Sequence, residues 1–427
     1  MVTDGSRPGL SPLGYRARAL AGARGDRIVA DSVGALRLDD PSGAATLWFP
    51  LADARTDALA AAGEEDDEHL GTVTLWSLPD AAPGAGVVAR TPTAPPTALA
   101  ALAGRITFDA GIDTGAVVVE LEDGAPGADP RDVTVKRFPT WGDAADLVAV
   151  MDVMPNDDGS WSSVARAMPD RPVVEGSQML GQAIVAASRL RPGCRVVSAH
   201  MAFVRPADAR APLRFVLDEV SAGRTFGAFT ARVEQQGRTC ATGTLLLGVP
   251  AADAVTDAVA HADPAPAVVG PYDSVPHDMG VTGRDLRVVD AAYTADPAAP
   301  VGPPELDAWV RYRDVPDDPA LHAGLLAQFT GHLSIAAALR PHAGVGEAQS
   351  HHTLSTAINA IALSVHTDVR VDQWLLYHHR STSAAGGMTH SECRVHHEAG
   401  VLVASFTVDA MVRAFAGGAV GDTRTSL

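Results

Sequence analysis

The sequence predicts an α+β chain in which a small all-β domain precedes two copies of one unit, each a long helix wrapped by four antiparallel strands. Three observations predict it. Short β-like runs punctuated by Gly, Pro and Asp fill the stretch from Tyr15 to Phe108. Two segments, Gly176–Pro192 (GSQMLGQAIVAASRLRP) and Leu325–Pro341 (LLAQFTGHLSIAAALRP), are apolar at helical spacing and share the ending Leu-Arg-Pro. Each is followed by four runs with apolar residues at every second position, so the chain carries an internal repeat.

The elements follow in order. Within a first domain at 13–120, Arg27 to Val33 and Ala45 to Leu51 read as strands, and Gly63 to Glu68 (GEEDDE) reads as a solvated acidic loop. A linker spans 121–145, where Leu121 to Arg131 (LEDGAPGADPR) has linker composition. The first repeat occupies 146–250, with strands over Val196–Val204, Leu213–Val220, Thr225–Glu234 and Thr239–Val249. An Ala-, Pro- and Asp-rich stretch, Ala251 to Val269, opens the connection at 251–300. The second repeat occupies 301–416, with strands over Thr356–His366, Trp374–Arg380, Met388–His396 and Val401–Val412 and an inserted loop at His342 to His352. A helix wrapped by such a sheet is the hotdog architecture. A lone hotdog leaves one sheet edge open, and joining two in one chain hides those edges in one continuous sheet. The expectation is therefore a double hotdog.

Composition excludes several classes of function. The 427 residues carry 33 Lys+Arg against 51 Asp+Glu, a formal charge of −18, opposite to the basic footprint that nucleic acid or an anionic membrane selects. Cys194, Cys240 and Cys393 lie far apart, without the spacing of a disulfide framework or a zinc site. The pairs His351-His352, His378-His379 and His396-His397 project to opposite faces of a strand, so none offers two ligands to one metal. No window approaches the ~20 apolar residues of a membrane span. These features predict a cytoplasmic protein without metal or cofactor, and they are compatible with a homo-oligomer.

From about 146 to 415 the chain resembles the acyl-CoA thioesterase II family, the double-hotdog acyl-CoA hydrolases. In the first half the resemblance rests on Gly176-Ser177-Gln178, Gly181-Gln182-Ala183, Ser198-Ala199-His200, Phe203-Val204-Arg205-Pro206 and Gly223-Arg224-Thr225-Phe226. In the second it rests on Trp309-Val310-Arg311, Val315-Pro316-Asp317-Asp318, Pro341-His342, Trp374-Leu375-Leu376-Tyr377, Ser381-Thr382-Ser383-Ala384 and Gly400-Val401-Leu402-Val403-Ala404-Ser405. It implies an acyl-CoA substrate and hydrolysis to free acid and CoA. The segment up to about residue 110 is similar to a small bacterial β-rich domain of unknown function, sometimes labelled nucleotidyltransferase-like. The carriers there are Ala30-Asp31-Ser32, Trp48-Phe49-Pro50-Leu51 and Thr74-Leu75-Trp76, and the Cys-Pro-x-Lys-Gly stretch usual in that family is missing.

A thioester needs a polarised carbonyl and a positioned water, hence a base and an oxyanion donor. The resemblance implies an Asp on the second helix, a Thr or Ser on the next strand and a Gln on the last. Carried over, these positions fall on Gly331, Ile358 and Val408, and none matches. Four polar residues remain as catalytic candidates. His332 follows Gly331, about 100° around the helix, and an unperturbed histidine titrates near pH 6.5. Glu175 stands just before the first helix, where the related family has an apolar residue. Gln182 occupies the first-repeat position equivalent to Gly331, where related enzymes also have Gln. Thr356 shares a strand face with Ile358. Each also has a structural reading: a packed histidine, a carboxylate favoured by the helix dipole, a structural amide, a β-branched strand residue. Asp317 and Asp318 read as helix caps, although Asp317 and His322 mimic a hydratase spacing. A catalytically reduced acyl-CoA-binding module is the alternative function.

Overall fold

The computed structural model describes residues 9–21, 27–39, 45–79, 86–108, 117–123, 133–138, 142–164, 173–255, 269–277, 281–292 and 298–415. It divides into two units, residues 1–141 with 278–282 and residues 142–277 with 283–427.

The first unit is all-β among its described strands. Seven strands form one sheet in the order Gly9–Pro12, Leu36–Asp39, Ala45–Pro50, Arg105–Phe108, Ala89–Pro92, Gly71–Ser77, Ala60–Asp67. Four more form a second sheet in the order Thr134–Phe138, Val117–Asp123, Arg16–Ala21, Arg27–Ser32. Ala17, Ala19, Val29 and Val119 from the smaller sheet share a core with Phe49 and Ile106 from the larger. Two expectations change here. Residues 63–67 of the acidic stretch Gly63 to Glu68 lie in an edge strand and not in a loop, pairing Glu64 with Thr74 and Asp66 with Thr72. Its exposed carboxylates blunt the sheet edge against further pairing, which explains a strand with no apolar face. The stretch read as linker contains strand: Leu121 and Phe138 are buried where Val117–Asp123 pairs with Arg16–Ala21 and with Thr134–Phe138. Residues 124–132 of that linker, and 256–268 of the connection, lie outside the described residues.

The second unit holds helix α1 (Ala144–Met151), α2 (Gly176–Leu190), α3 (Pro319–Phe329) and α4 (Ser334–Leu339). Its strands are β1 (Met154–Pro155), β2 (Trp161–Ser162), β3 (Arg195–Phe203), β4 (Arg214–Ala222), β5 (Phe226–Gln235), β6 (Arg238–Gly248), β7 (Val275–Pro276), β8 (Arg284–Val288), β9 (Glu305–Tyr312), β10 (Leu354–Val365), β11 (Leu375–Ala385), β12 (Met388–His397) and β13 (Leu402–Ala414). They form one antiparallel sheet in the order β1-β2-β4-β5-β6-β3-β10-β13-β12-β11-β9-β8-β7. The order reads as a repeat about the β3–β10 seam, where Ser198 faces Ser364 and Ala202 faces Ala360. Pairing β3 with β10 covers the inner edge that each half would otherwise leave open, and the expected double hotdog results.

Two glycines set the distance between the central helices. A β-carbon at Gly181 on α2 would lie 2.4 Å from the carbonyl oxygen of Gly324 on α3, and one at Gly324 would lie 2.6 Å from Val185 Cγ2. The helices therefore cross backbone to backbone. Gly181→Ala should separate them, because the obstacle is main chain. We expect overpacking of about 1–3 kcal/mol, only partly offset by the ~1 kcal/mol gain in helix propensity, to lower the melting temperature. An unchanged or raised melting temperature would refute this crossing.

The second central helix departs from expectation. It starts at Pro319, with the Asp318 carboxylate accepting from Ala320 N at 2.9 Å, and does not begin at Leu325. It also breaks after Phe329. Thr330 Oγ1 donates to Ala327 O at 2.6 Å, and Leu333 takes the left-handed conformation at φ 66°, so α4 starts as a separate helix. The apolar spacing runs through the break because Leu333 stays buried. Asp317 pairs with Arg370 Nη1 at 2.7 Å.

Across β9 and β11, His378 Nδ1 lies 2.5 Å from Asp307 Oδ1, and this hydrogen bond raises the histidine above its ordinary pKa. A folded pKa above the unfolded value stabilises most at low pH and fades as pH rises through the folded pKa. Melting curves of the parent and His378→Gln should differ most near pH 6 and converge in alkali. A constant gap would show that the ion pair is not its source.

Candidate active site

Glu175 is the N-cap of α2, yet its side chain makes no capping hydrogen bond. Its Oε2 is instead 3.4 Å from His332 Nε2 and accepts from Gln328 Nε2 at 3.0 Å. The carboxylate is thus directed across to the broken end of α3. Gln328 Nε2, in the last turn of α3, also lies 3.4 Å from His332 Nε2, in the break before α4. Tyr312 OH donates to Gln328 Oε1 at 2.7 Å, and Arg284 Nη1 donates to the same oxygen at 3.3 Å. Arg284 and Tyr312 are cross-strand neighbours on β8 and β9. The guanidinium sits 4.8 Å from the centre of the Phe329 ring, which in turn is 4.9 Å from the His332 ring. Burial pushes the Tyr312 phenol up, Arg284 opposes that shift and the Glu175 charge adds to it, so the hydroxyl stays protonated.

Exposure ranks the pair. The Glu175 side chain is 24% exposed and that of His332 9%, so solvent meets the carboxylate first and the imidazole sits behind it. The N-terminus of α2 adds a positive end at the same place, with the first-turn amides of Gly176 and Ser177 lacking intrahelical acceptors by helix geometry.

The sequence-level candidates separate into two groups. Glu175 and His332, weighed there as alternatives, are partners. Gln182 lies fully buried and donates from Nε2 to Val150 O at 2.7 Å, satisfying a carbonyl in the last turn of α1. Thr356 is a buried β10 residue opposite Val412. Gly331 leaves little room for a side chain: a β-carbon there would meet Ser177 Oγ at 2.4 Å. Ile358 precedes a bulge in β10, and Val408 is buried opposite Ser391. Gln328, Tyr312 and Arg284 escaped sequence reading. The spacing of Gln328 and His332 was a usable signal, whereas Tyr312 and Arg284 reach the site only through the fold.

Two other clusters carry no comparable chemistry. His379 is fully buried with Nδ1 3.2 Å from Cys393 Sγ and 3.2 Å from Ser334 Oγ. Burial, then the charges of His378 and His332, push this histidine down to about 3, and burial pushes the Cys393 thiol up to about 12. A neutral imidazole beside a protonated thiol is no nucleophile pair. His322 is also buried, its Nδ1 accepting from Val371 N at 3.2 Å, so the hydratase-like spacing serves packing. Among the described residues no group of three or more His, Cys, Asp or Glu is placed to hold a metal ion, and no helix is long and apolar enough to cross a membrane.

Fold and site together define a double-hotdog protein with a carboxylate–histidine pair between its two central helices. Models of the acyl-CoA thioesterase N-terminal and C-terminal domains match residues 164–248 and 252–412, and the chain belongs to the acyl-CoA thioesterase family. Among its relatives, acyl-coenzyme A thioesterase 8 of Mus musculus is 23% identical over 295 residues, covering 62% of this chain and 88% of that protein. Acyl-CoA thioesterase 2 of Haemophilus influenzae is 24% identical over 258 residues, covering 56% of this chain and 87% of that protein. The crystal structure of an acyl-CoA thioesterase II from Mycobacterium marinum superposes with a TM-score of 0.51 at 24% identity, over 64% of this chain and 98% of that one.

Proposed function

We propose that this chain hydrolyses acyl-CoA to free acid and CoA through Glu175 and His332, with water as the only co-reactant. The observation that carries this reading is the Glu175 carboxylate turned away from its own helix and onto His332 and Gln328. A water at the exposed carboxylate gives its proton to Glu175 as it attacks the thioester carbon. The amides of Gly176 and Ser177 at the positive end of α2 receive the developing oxyanion. The intermediate collapses, the C–S bond breaks, and the CoA sulfur leaves as thiolate or takes back the proton from Glu175. Glu175 is neutral while it holds the proton, and His332 stays neutral behind it, 3.4 Å from Oε2.

A binding-only reading draws support from Gly331, Ile358 and Val408, whose side chains can transfer no proton. Release of free CoA thiol from a panel of acyl-CoAs separates the two. Hydrolysis well above the buffer rate supports the enzyme. Tight acyl-CoA binding with turnover no faster than buffer would replace it with the binding module.

A further inference from the structure

We propose that Gln328 is the positioning residue of this site: clamped through its carbonyl oxygen by Tyr312 and Arg284, it turns its amide nitrogen onto Glu175 and His332 and holds the neutral imidazole with its proton on Nδ1. The inference deepens the reading of Glu175 and His332 as the reacting pair. The orientation of the amide follows from donor chemistry. Arginine has no acceptor, so the Gln328 atom 3.3 Å from Arg284 Nη1 is the oxygen. Tyr312 bonds that same oxygen. The opposite end of the amide is therefore NH2, with two hydrogens. One is donated to Glu175 Oε2 at 3.0 Å and the other points at His332 Nε2 at 3.4 Å. A nitrogen that faces a donor must offer its lone pair, which leaves the proton of the neutral ring on Nδ1.

Protonating Nε2 would set an N–H against the Gln328 amide, with Glu175 Oε2, 3.4 Å away, as its alternative partner. Gln328 therefore opposes the imidazolium while it supports the carboxylate. Among the described residues, the titratable and charged groups near His332 include Glu175 at the N-cap of α2 and His379 from β11, with Arg284 from β8 and Tyr312 from β9 reaching it through Phe329 and Gln328. Arg284 also disfavours a second positive charge, and the carboxylate of Glu175 favours one. The Gln328 amide stands between the two influences, bonded to a member of each.

The test uses the full chain labelled with 15N-histidine, the His332 signal being identified by its loss in His332→Gln. The parent should show a bare Nε2 and a protonated Nδ1 near neutral pH. Gln328→Leu, which removes the amide, should mix the tautomers and move the His332 titration to higher pH. Tyr312→Phe leaves Arg284 on the oxygen and should shift both in the same direction by less. It serves as the second variant if Gln328→Leu fails to fold. Rates provide the second readout: kcat should fall about tenfold or more in Gln328→Leu with KM changed by less than about twofold. An unchanged tautomer and titration midpoint in a folded Gln328→Leu or Tyr312→Phe overturns the inference. A parent that hydrolyses nothing but shows the stated tautomer, with its loss in the variants, sustains Gln328 as the positioning residue and removes the hydrolase reading instead.

Discussion

Glu175→Gln is expected to lower kcat/KM by about 10²–10⁴-fold, the usual worth of a general base, with KM changed little. The substitution keeps the shape of the side chain and one oxygen for the Gln328 amide, so α2 and its contacts stay in place while proton acceptance is lost. His332→Ala should cost less on its own, because the histidine sits behind the carboxylate and does not meet the water. Steady-state kinetics with one good acyl-CoA substrate checks both, and circular dichroism shows that the fold has survived. If Glu175→Gln ran at the parent's rate while His332→Ala did not, the histidine would be the base and the order of the pair would be reversed.

The second large effect is expected from putting back the acid that related enzymes are expected to carry. Gly331→Asp should not raise activity. Its β-carbon would lie 2.4 Å from Ser177 Oγ and 2.8 Å from Ser177 Cβ, and only the hydroxyl can rotate away. The first turn of α2 would have to shift and take Glu175 with it. We expect a stability loss of about 1–3 kcal/mol from overpacking and a fall in kcat/KM together. Adding Ser177→Gly removes the obstructing atoms, so stability should return toward that of the parent. Thermal melts and rates of the single and double variants check this. A faster Gly331→Asp enzyme would mean that the site still accepts an aspartate at this position.

The strands of both repeats were legible because each has one buried and one less buried face, and Met388–His397 and Arg195–Phe203 fall almost where their period-2 patterns put them. The break between α3 and α4 was not legible. Leu333 is apolar and buried in either conformation, so the hydrophobic spacing is the same with or without a left-handed residue. The acidic edge strand Ala60–Asp67 was missed for the converse reason, since a strand that buries nothing has no alternation to read. At the site, the sequence offered Glu175 and His332 as rival bases because nothing in their spacing brings position 175 near position 332. The crossing of α2 and α3 at Gly181 and Gly324 places them side by side. Gln182 follows from the register of the repeat, which aligns the Leu-Arg-Pro endings and so matches a continuous helix to one that begins at Pro319 and breaks after Phe329, and Thr356 follows from sharing a strand face with Ile358.

The central claim is that Glu175 and His332 act as one unit in hydrolysis, and a double-mutant cycle on kcat/KM tests it most directly. Groups that share one proton-transfer step are strongly non-additive: once one is gone, removing the other costs little more. The account predicts that Glu175→Gln combined with His332→Ala is about as slow as Glu175→Gln alone. Losses that simply multiply would contradict it, because the two residues would then contribute separately and the 3.4 Å contact between them would have no part in catalysis.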